Sequence, residues 1–133
     1  LPGRFQIVRR NPLTIVDCAH IPYAISLVVS DLGKIHRGKV VVVFAANRDK
    51  NIRGILRELK KLSSIIVITE NPNPRTATCD EIRAFCRELG LESHSVPSIA
   101  MAIKDAKKMA GSRGCVLITG SSYLAGEALK LFR

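Results

Sequence analysis

The chain has 133 residues, which is typical of one globular domain with a sizeable core. Hydrophobic residues make up 47% of it, but no apolar run reaches the ~18 residues that a membrane span needs, so we expect one soluble domain outside the membrane. Lys and Arg outnumber Asp and Glu by 21 to 11, and residues 1–62 hold 12 of these cations against 4 acids. This basic half favours an anionic partner such as nucleic acid, nucleotide phosphates or a polycarboxylate.

The first half of the chain predicts three strands and two helices. β-branched runs predict strands at Phe5–Arg9, Leu13–Asp17 and Lys39–Ala45. A helix is expected over Ile21–Ile35. A second helix follows from apolar residues spaced as on one helical face, namely Ile52, Ile55, Leu56, Leu59 and Leu62.

The second half continues the alternation. Strands are predicted at Ser64–Thr69 and Cys115–Thr119, with a short one near Glu92–Val96. Helices are predicted between them, from a capping box of Thr78 and Glu81 to Gly90, from Ile99 to Ala110, and over Ser122–Phe132. Strands alternating with helices at this spacing predict a three-layer, Rossmann-like α/β fold. Its sheet is open and mostly parallel, with helices on both faces.

Four cysteines are present, and none forms a C-x-x-C pair: Cys18, Cys79, Cys86 and Cys115. Cys79 and Cys86 are seven residues apart in one predicted helix, a spacing poorly suited to tetrahedral zinc. We therefore expect no metal site here, and interpret the cysteines as small buried side chains in a reducing cytoplasm.

Polar residues follow four of the predicted strands. Asp17 and His20 follow the second strand, and residues 47–50 follow the third. Residues 70–75 and 120–122 follow the next two buried runs. Ligands of open α/β sheets gather outside the carboxyl ends of the strands, so a site is expected where these loops meet. A single such residue is as readily a turn or helix cap, but four loops together favour a site.

Two nucleotide-binding motifs can be excluded. Residues Gly33–Val40 match G-x-x-x-x-G-K, but they follow a predicted helix, precede a strand and end in Val40 instead of Ser or Thr. No G-x-G-x-x-G is present. If ATP binds, its phosphate loop is expected on another domain. Ser121 lies outside a G-x-S-x-G elbow and has no base predicted beside it, so a hydrolase is not supported.

Five blocks occur in an order that makes the chain recognisable: Leu1-Pro2-Gly3-Arg4-Phe5, Asp17-Cys18-Ala19-His20-Ile21-Pro22, Asp49-Lys50, Pro74-Arg75-Thr76-Ala77 and Thr119-Gly120-Ser121-Ser122-Tyr123-Leu124. From end to end they resemble the LPGRFE, DGAHNP, DKD, PRA and TGSLYL blocks of the folylpolyglutamate synthase and dihydrofolate synthase family of Mur ligases. The resemblance implies that residues 1–133 are a single Mur ligase C-terminal domain, cut from a larger two-domain enzyme.

The resemblance also implies a reaction and a set of partners. ATP phosphorylates a folate or dihydropteroate carboxylate, and the amine of glutamate attacks the acyl phosphate. The phosphate loop and the Mg²⁺ ligands are expected on an N-terminal ATPase domain of the same chain. A cytoplasmic monomer is expected, with no membrane or nucleic-acid partner.

Roles for individual residues follow from the same resemblance. Arg4 and Asp17 are expected to contact ATP, Arg4 with a planar multi-donor head that suits a phosphate. His20 is the expected catalytic residue. Ser121 and Lys50 are expected to bind the amino-acid substrate.

The sequence departs from the family pattern at three positions. Ile21 stands where Asn is usual, Cys18 where Gly is usual, and Asn51 where the second Asp of DKD is usual. Two alternatives to a ligase domain stay open, and the change of Asn to Ile21 supports the second of them. One is a nucleic-acid-binding module, which the charge alone supports, although aromatics are only 5% and Trp is absent. The other is a regulatory domain that kept the ligase fold.

Overall fold

The structure, a computed structural model, describes residues 3–63 and 65–133. These residues form six strands and five helices; after an initial hairpin of two strands, five helices alternate with the other four strands. In chain order they are β1 Gln6–Arg10, β2 Leu13–Val16, α1 Pro22–Ile35, β3 Val40–Phe44, α2 Ile52–Lys60, β4 Ile65–Ile68, α3 Cys79–Glu88, β5 Glu92–Ser95, α4 Ile99–Ala110, β6 Cys115–Thr119 and α5 Ser122–Leu131.

One six-stranded sheet has the order β1-β2-β6-β3-β4-β5. Strand β1 pairs antiparallel with β2, and all other neighbours are parallel. Strand β6 returns from the far edge to lie between β2 and β3, with Val43 opposite Ile118. The connections leaving β3 and β6 run to opposite faces of the sheet. A crevice for ligands is expected at such a switch point.

Side-chain alternation along the strands builds two cores. Val40, Val42 and Phe44 face one layer of helices, made of α1, α2 and α3. Val41 and Val43 face the opposite layer, made of α4 and α5. Strands buried on both faces explain why the sequence shows continuous β-branched runs here and not an alternating pattern. The fully buried Ile55, Leu56 and Leu59 fix α2 to the first face, each worth about 1.5–3 kcal/mol of transfer free energy.

The fold class is confirmed, and the predicted elements differ from the structure only at their ends. Helix α1 begins at Pro22, and its N-cap residue Ile21 makes no side-chain hydrogen bond to the helix. The Thr78–Glu81 capping box is present at α3. The rejected motif at Gly33–Val40 does connect a helix to a strand. Ser64, and the Leu1-Pro2 start of the first block, lie outside the described residues. No helix in the described part is long and apolar enough to cross a membrane.

At Gly120, the backbone just after β6 lies in close contact with the backbone just after β3. Gly120 has φ 112°, and a Cβ atom there would lie 2.4 Å from the carbonyl oxygen of Ala45. Only glycine combines this backbone conformation with so close an approach. This close contact fixes the start of α5. There Ser121 is the N-cap, and its side chain accepts the backbone N–H of Leu124.

Candidate active site

The four polar loops predicted from the sequence meet at one cavity of about 310 Å³, at the carboxyl ends of the parallel strands. Its volume is at the lower end of the range for small-molecule sites. The lining residues come from the loops after β2, β3, β4 and β6, and they are His20, Asn47, Lys50, Asn71, Asn73, Arg75, Gly120, Ser121, Ser122 and Tyr123.

A buried hydrogen bond ties two of these loops across the cavity. Asn71, only 3% exposed, donates from Nδ2 to Ser121 Oγ at 2.9 Å. The same Oγ accepts the Leu124 N–H at 3.0 Å. Because Ser121 Oγ already accepts two N–H groups, its own O–H proton is free to donate. Ser121 is therefore both the cap of α5 and a potential donor to an anionic ligand.

Two cations line the cavity without a carboxylate partner in the described part of the chain. They are Lys50, from the loop after β3, and Arg75, from the loop after β4. The other lining groups are amides, hydroxyls and one imidazole, and no Asp or Glu is among the lining residues described. This set of donors suits a ligand that carries carboxylates or phosphates.

An ion pair behind the cavity holds the loops that carry Lys50 and Arg75. The Arg48 guanidinium donates to both carboxylate oxygens of Glu81, at 2.7–3.2 Å, and to the carbonyl oxygen of Pro74 at 3.2 Å. The Arg48 backbone N–H donates to the Arg75 carbonyl at 2.8 Å. Glu81 also closes the Thr78 capping box. The hydrogen bonds from Arg48 and from the Thr78 backbone lower the pKa of Glu81 from 4.5 to about 2.

A second groove of about 370 Å³ lies beside the cavity and shares His20 with it. Arg4, Asp17 and Asp31 contribute its charged groups. Its remaining wall is mostly apolar and comes from the turn after Arg4, from the loop between β2 and α1, and from α1 itself. These residues are Phe5, Cys18, Ala19, Ile21, Ala24, Leu27 and Val28.

Asp17 is buried at the base of this groove, and its two oxygens hold the backbone on either side. Oδ1 accepts the Phe5 N–H and Oδ2 accepts the Ala19 N–H, both at 2.8 Å. Phe5 has φ 44°, an uncommon conformation for a residue with a side chain. The Asp17 carboxylate thus fixes the turn that carries Arg4 and the loop that carries His20.

The hydrogen bonding of His20 determines which ring nitrogen carries the proton. Nδ1 lies 3.1 Å from the carbonyl oxygen of Cys18. A carbonyl can only accept, so this contact requires a proton on Nδ1 and leaves Nε2 of the neutral ring as an acceptor. His20 is exposed where the cavity meets the groove. Its free nitrogen is suitably placed to take a proton from a ligand there.

The described residues hold no group of three or more His, Cys, Asp or Glu side chains that could bind a metal ion. All four cysteines are free, and burial raises the pKa of Cys86 to about 11 and that of Cys115 to about 12. The interpretation of these two thiols as buried, unreactive side chains agrees with that direction.

The structure brings the five predicted site residues to two adjoining places. Lys50, Ser121 and His20 line the cavity, while Arg4 and Asp17 line the groove with His20. Sequence reasoning placed Asn47, Asn71, Asn73 and Arg75 in rim loops but assigned them no binding role. The available signal was their position directly after buried strands. That signal does not predict the hydrogen bond between Asn71 and Ser121, because the two residues are 50 positions apart.

Residues 3–122 match the family model described as the Mur ligase glutamate ligase domain. The chain belongs to this Mur ligase domain family. Among solved structures, this Mur ligase domain is similar to Mycobacterium tuberculosis folylpolyglutamate synthase complexed with ADP, with a TM-score of 0.93 and 27% identity, over 99% of this chain and 32% of that one.

Curated relatives of this Mur ligase domain include two kinds of ligase. The Escherichia coli dihydrofolate synthase/folylpolyglutamate synthase is 31% identical over 98% of this chain and 30% of its own length. The Aquifex aeolicus UDP-N-acetylmuramoyl-L-alanyl-D-glutamate–2,6-diaminopimelate ligase is 36% identical over 98% of this chain and 28% of its own length. The chain therefore spans just under a third of the length of each of these two relatives.

We predict that Glu81→Gln destabilises the domain at neutral pH and loosens the loop of Lys50. Because the folded-state pKa of Glu81 is lowered from 4.5 to about 2, the contribution of its carboxylate is complete above about pH 4.5 and is lost as the pH falls towards 2. Thermal unfolding of both proteins from pH 7 down to about pH 3 should show the difference in midpoint shrinking across that window.

Glu88→Gln is the matched control, because Glu88 forms a similar two-point pair with Arg53 away from the cavity. Hydrogen exchange at the backbone of Arg48 should accelerate in Glu81→Gln and stay unchanged in Glu88→Gln. Equal exchange in both variants, or a stability difference that persists undiminished at low pH, would contradict this role for Glu81.

Proposed function

We propose that this domain is the C-terminal part of an ATP-dependent amide ligase that adds glutamate to a folate or dihydropteroate acceptor. In the complete enzyme an N-terminal ATPase domain of the same chain would supply the phosphate loop and the Mg²⁺ ligands. The observation that carries the proposal is the cavity with the two unpaired cations Lys50 and Arg75, which adjoins at His20 a groove containing Arg4. An anionic amino acid and a nucleotide would thus bind side by side.

The charge of the cavity favours glutamate over diaminopimelate, the amino acid named for one of the relatives. Lys50 and Arg75 can each bind one carboxylate of glutamate, and the Ser121 hydroxyl can donate to one of them. Diaminopimelate carries a second ammonium group. No Asp or Glu among the described lining residues is available to pair with that group, so its desolvation would be uncompensated.

The proposed reaction requires an amine and an acyl phosphate to meet at the junction of cavity and groove. The amine lone pair forms the new N–C bond, the C–O bond to phosphate breaks, and phosphate leaves with that electron pair. The nitrogen then loses one proton. His20 is proposed as the base that accepts it, because Nε2 of the neutral ring is unprotonated and the ring is exposed at this junction.

The groove fits part of a nucleotide by the chemistry of its lining. Arg4 offers a guanidinium for a phosphate, and the apolar side chains of Ile21, at the N-cap of α1, and of Leu27, within α1, offer a surface for a base. ATP would supply the phosphoryl group that activates the acceptor. Asp17 is only 6% exposed, and both its oxygens hold backbone groups, so its proposed contribution is chiefly to place Arg4 and His20 around the nucleotide.

The setting of the enzyme is part of the same proposal. A cytoplasmic location is supported by the four free cysteines, which a reducing compartment would keep unpaired. A monomer without nucleic-acid partners is proposed for the complete enzyme. In the basic half of the chain, Arg48 and Arg53 form ion pairs with Glu81 and Glu88, which leaves less uncompensated charge than the sequence suggested.

The amino-acid specificity tests the proposal. With the full-length enzyme, ATP and a dihydropteroate or folate acceptor, L-glutamate should be ligated and diaminopimelate should not. Lys50→Ala should raise the KM for glutamate about tenfold or more, because a charge-assisted hydrogen bond is lost. Lys104→Ala, on the exposed side of α4, is the control and should leave it unchanged. Ligation of diaminopimelate in preference to glutamate would contradict the proposal.

The nucleotide side is tested by Asp17→Ala in the full-length enzyme. Removing the acceptor of the Phe5 and Ala19 N–H groups should lower stability by about 1–3 kcal/mol. It should also raise the KM for ATP severalfold, because Arg4 is no longer held over the groove. Asp105→Ala in α4 serves as control. Near-normal ATP kinetics in a folded Asp17→Ala enzyme would remove Asp17 from this role.

A further inference from the structure

Three buried side-chain oxygens in the described part of the chain have no hydrogen-bond partner, and all three lie at or next to the cavity. They are Asn47 Oδ1, Asn71 Oδ1 and Thr119 Oγ1. Asn47 and Asn71 line the cavity, and Thr119 directly precedes the lining residue Gly120. Buried polar groups are normally paired, so unpaired ones concentrated at one site indicate a ligand that completes them.

The two amide oxygens can only accept hydrogen bonds, so the group that completes them must be a donor. Within the proposed function, the incoming amino acid has one such group with several N–H bonds, its α-amine. We propose that Asn47 and Asn71 form the subsite that binds the α-amino group of the incoming amino acid. This inference rests on the proposed ligase activity. It gives the α-amine a binding partner, because Lys50 and Arg75 are assigned to the carboxylates.

The surrounding loops hold Asn71 through its side chain and Asn47 through its backbone. Asn71 Nδ2 is held by Ser121 Oγ at 2.9 Å, and the Asn71 backbone N–H donates to Thr76 Oγ1 at 3.3 Å. Asn47 forms an antiparallel bridge with the same Thr76. The Ser121 bond thus orients Asn71 Oδ1, and the backbone bridge at Thr76 places Asn47 next to the loop that carries Asn71.

A neutral subsite has a chemical advantage for an amine that must react as a nucleophile. A carboxylate partner would favour the ammonium form and raise the pKa of the bound amine, whereas an amide oxygen binds the amine without adding charge. The titratable or charged groups that line the cavity are His20, Lys50, Arg75 and Tyr123. Lys50 and Arg75 are cationic and favour the neutral amine, so the cavity promotes loss of the proton before attack.

The pH dependence of kcat in the full-length enzyme tests this subsite. At saturating ATP, acceptor and L-glutamate, the ascending limb reports groups that titrate in the bound complex. Asn71→Asp places a carboxylate beside the amine and should move that limb upward by about one pH unit or more. Asn51→Asp adds the same charge at the N-cap of α2, outside the lining residues, where Asp also caps well, and should leave the limb in place.

A second comparison separates amine binding from a structural role. In Asn47→Ala, which leaves the bond from Asn71 to Ser121 intact, the KM for glutamate should rise about tenfold. The inhibition constant of glutarate, which has the carboxylates but no amine, should change less than twofold. Asn47→Asp provides the same added charge at the second acceptor if Asn71→Asp fails to fold, as judged by its thermal unfolding.

The outcomes distinguish this inference from the proposed function. The amine subsite alone is overturned if the wild-type enzyme ligates glutamate but the ascending limb does not move in Asn71→Asp. It is also overturned if the limb moves equally in Asn51→Asp. Equal weakening of glutamate and glutarate by Asn47→Ala also overturns it, because Asn47 would then face a carboxylate or act only through the fold. A wild-type enzyme that ligates no glutamate overturns the proposed function and the subsite with it.

Discussion

The parallel pairing of five strands is the constraint on which the site depends. Parallel strands place all their carboxyl ends at one rim, and the loops that leave β3 and β6 diverge to opposite faces there. Two helical layers cover both faces of the central strands β2, β6, β3 and β4, so backbone pairing and core packing together set the strand positions. Loop residues are therefore free to be polar, because they contribute little to the core. The cavity lies where these polar loops meet.

Polar contacts between loops convert this rim into a defined site. The Asp17 carboxylate joins the Phe5 turn to the His20 loop, and the Asn71 amide joins the loop after β4 to the N-cap Ser121. Arg48 performs a similar task from behind the cavity. Each of these groups uses its hydrogen bonds largely to position backbone or neighbouring loops. The groups left for a ligand are those that have no partner among the described residues, chiefly two cations and two amide oxygens.

Much of this could be predicted from the sequence, because local patterns determine it. The run Lys39–Ala45 contains the buried strand β3, and the Thr78–Glu81 box begins α3, as local propensities require. The convergence of four loops followed from strand direction alone. The amide oxygens could not be assigned, because the bond that orients Asn71 spans 50 residues. The left-handed conformation of Phe5 could not be predicted from the sequence either, because the buried Asp17 stabilises it through a tertiary contact.

A crystal structure of the full-length enzyme with a non-hydrolysable ATP analogue and L-glutamate is the most direct test of the proposed amino-acid site. The glutamate should lie in the 310 Å³ cavity, with its carboxylates at Lys50 and Arg75. Its nitrogen should be within about 3.2 Å of Asn71 Oδ1. Glutamate bound outside this cavity, or turned so that a carboxylate faces Asn71, would contradict both the charge assignment and the neutral amine subsite.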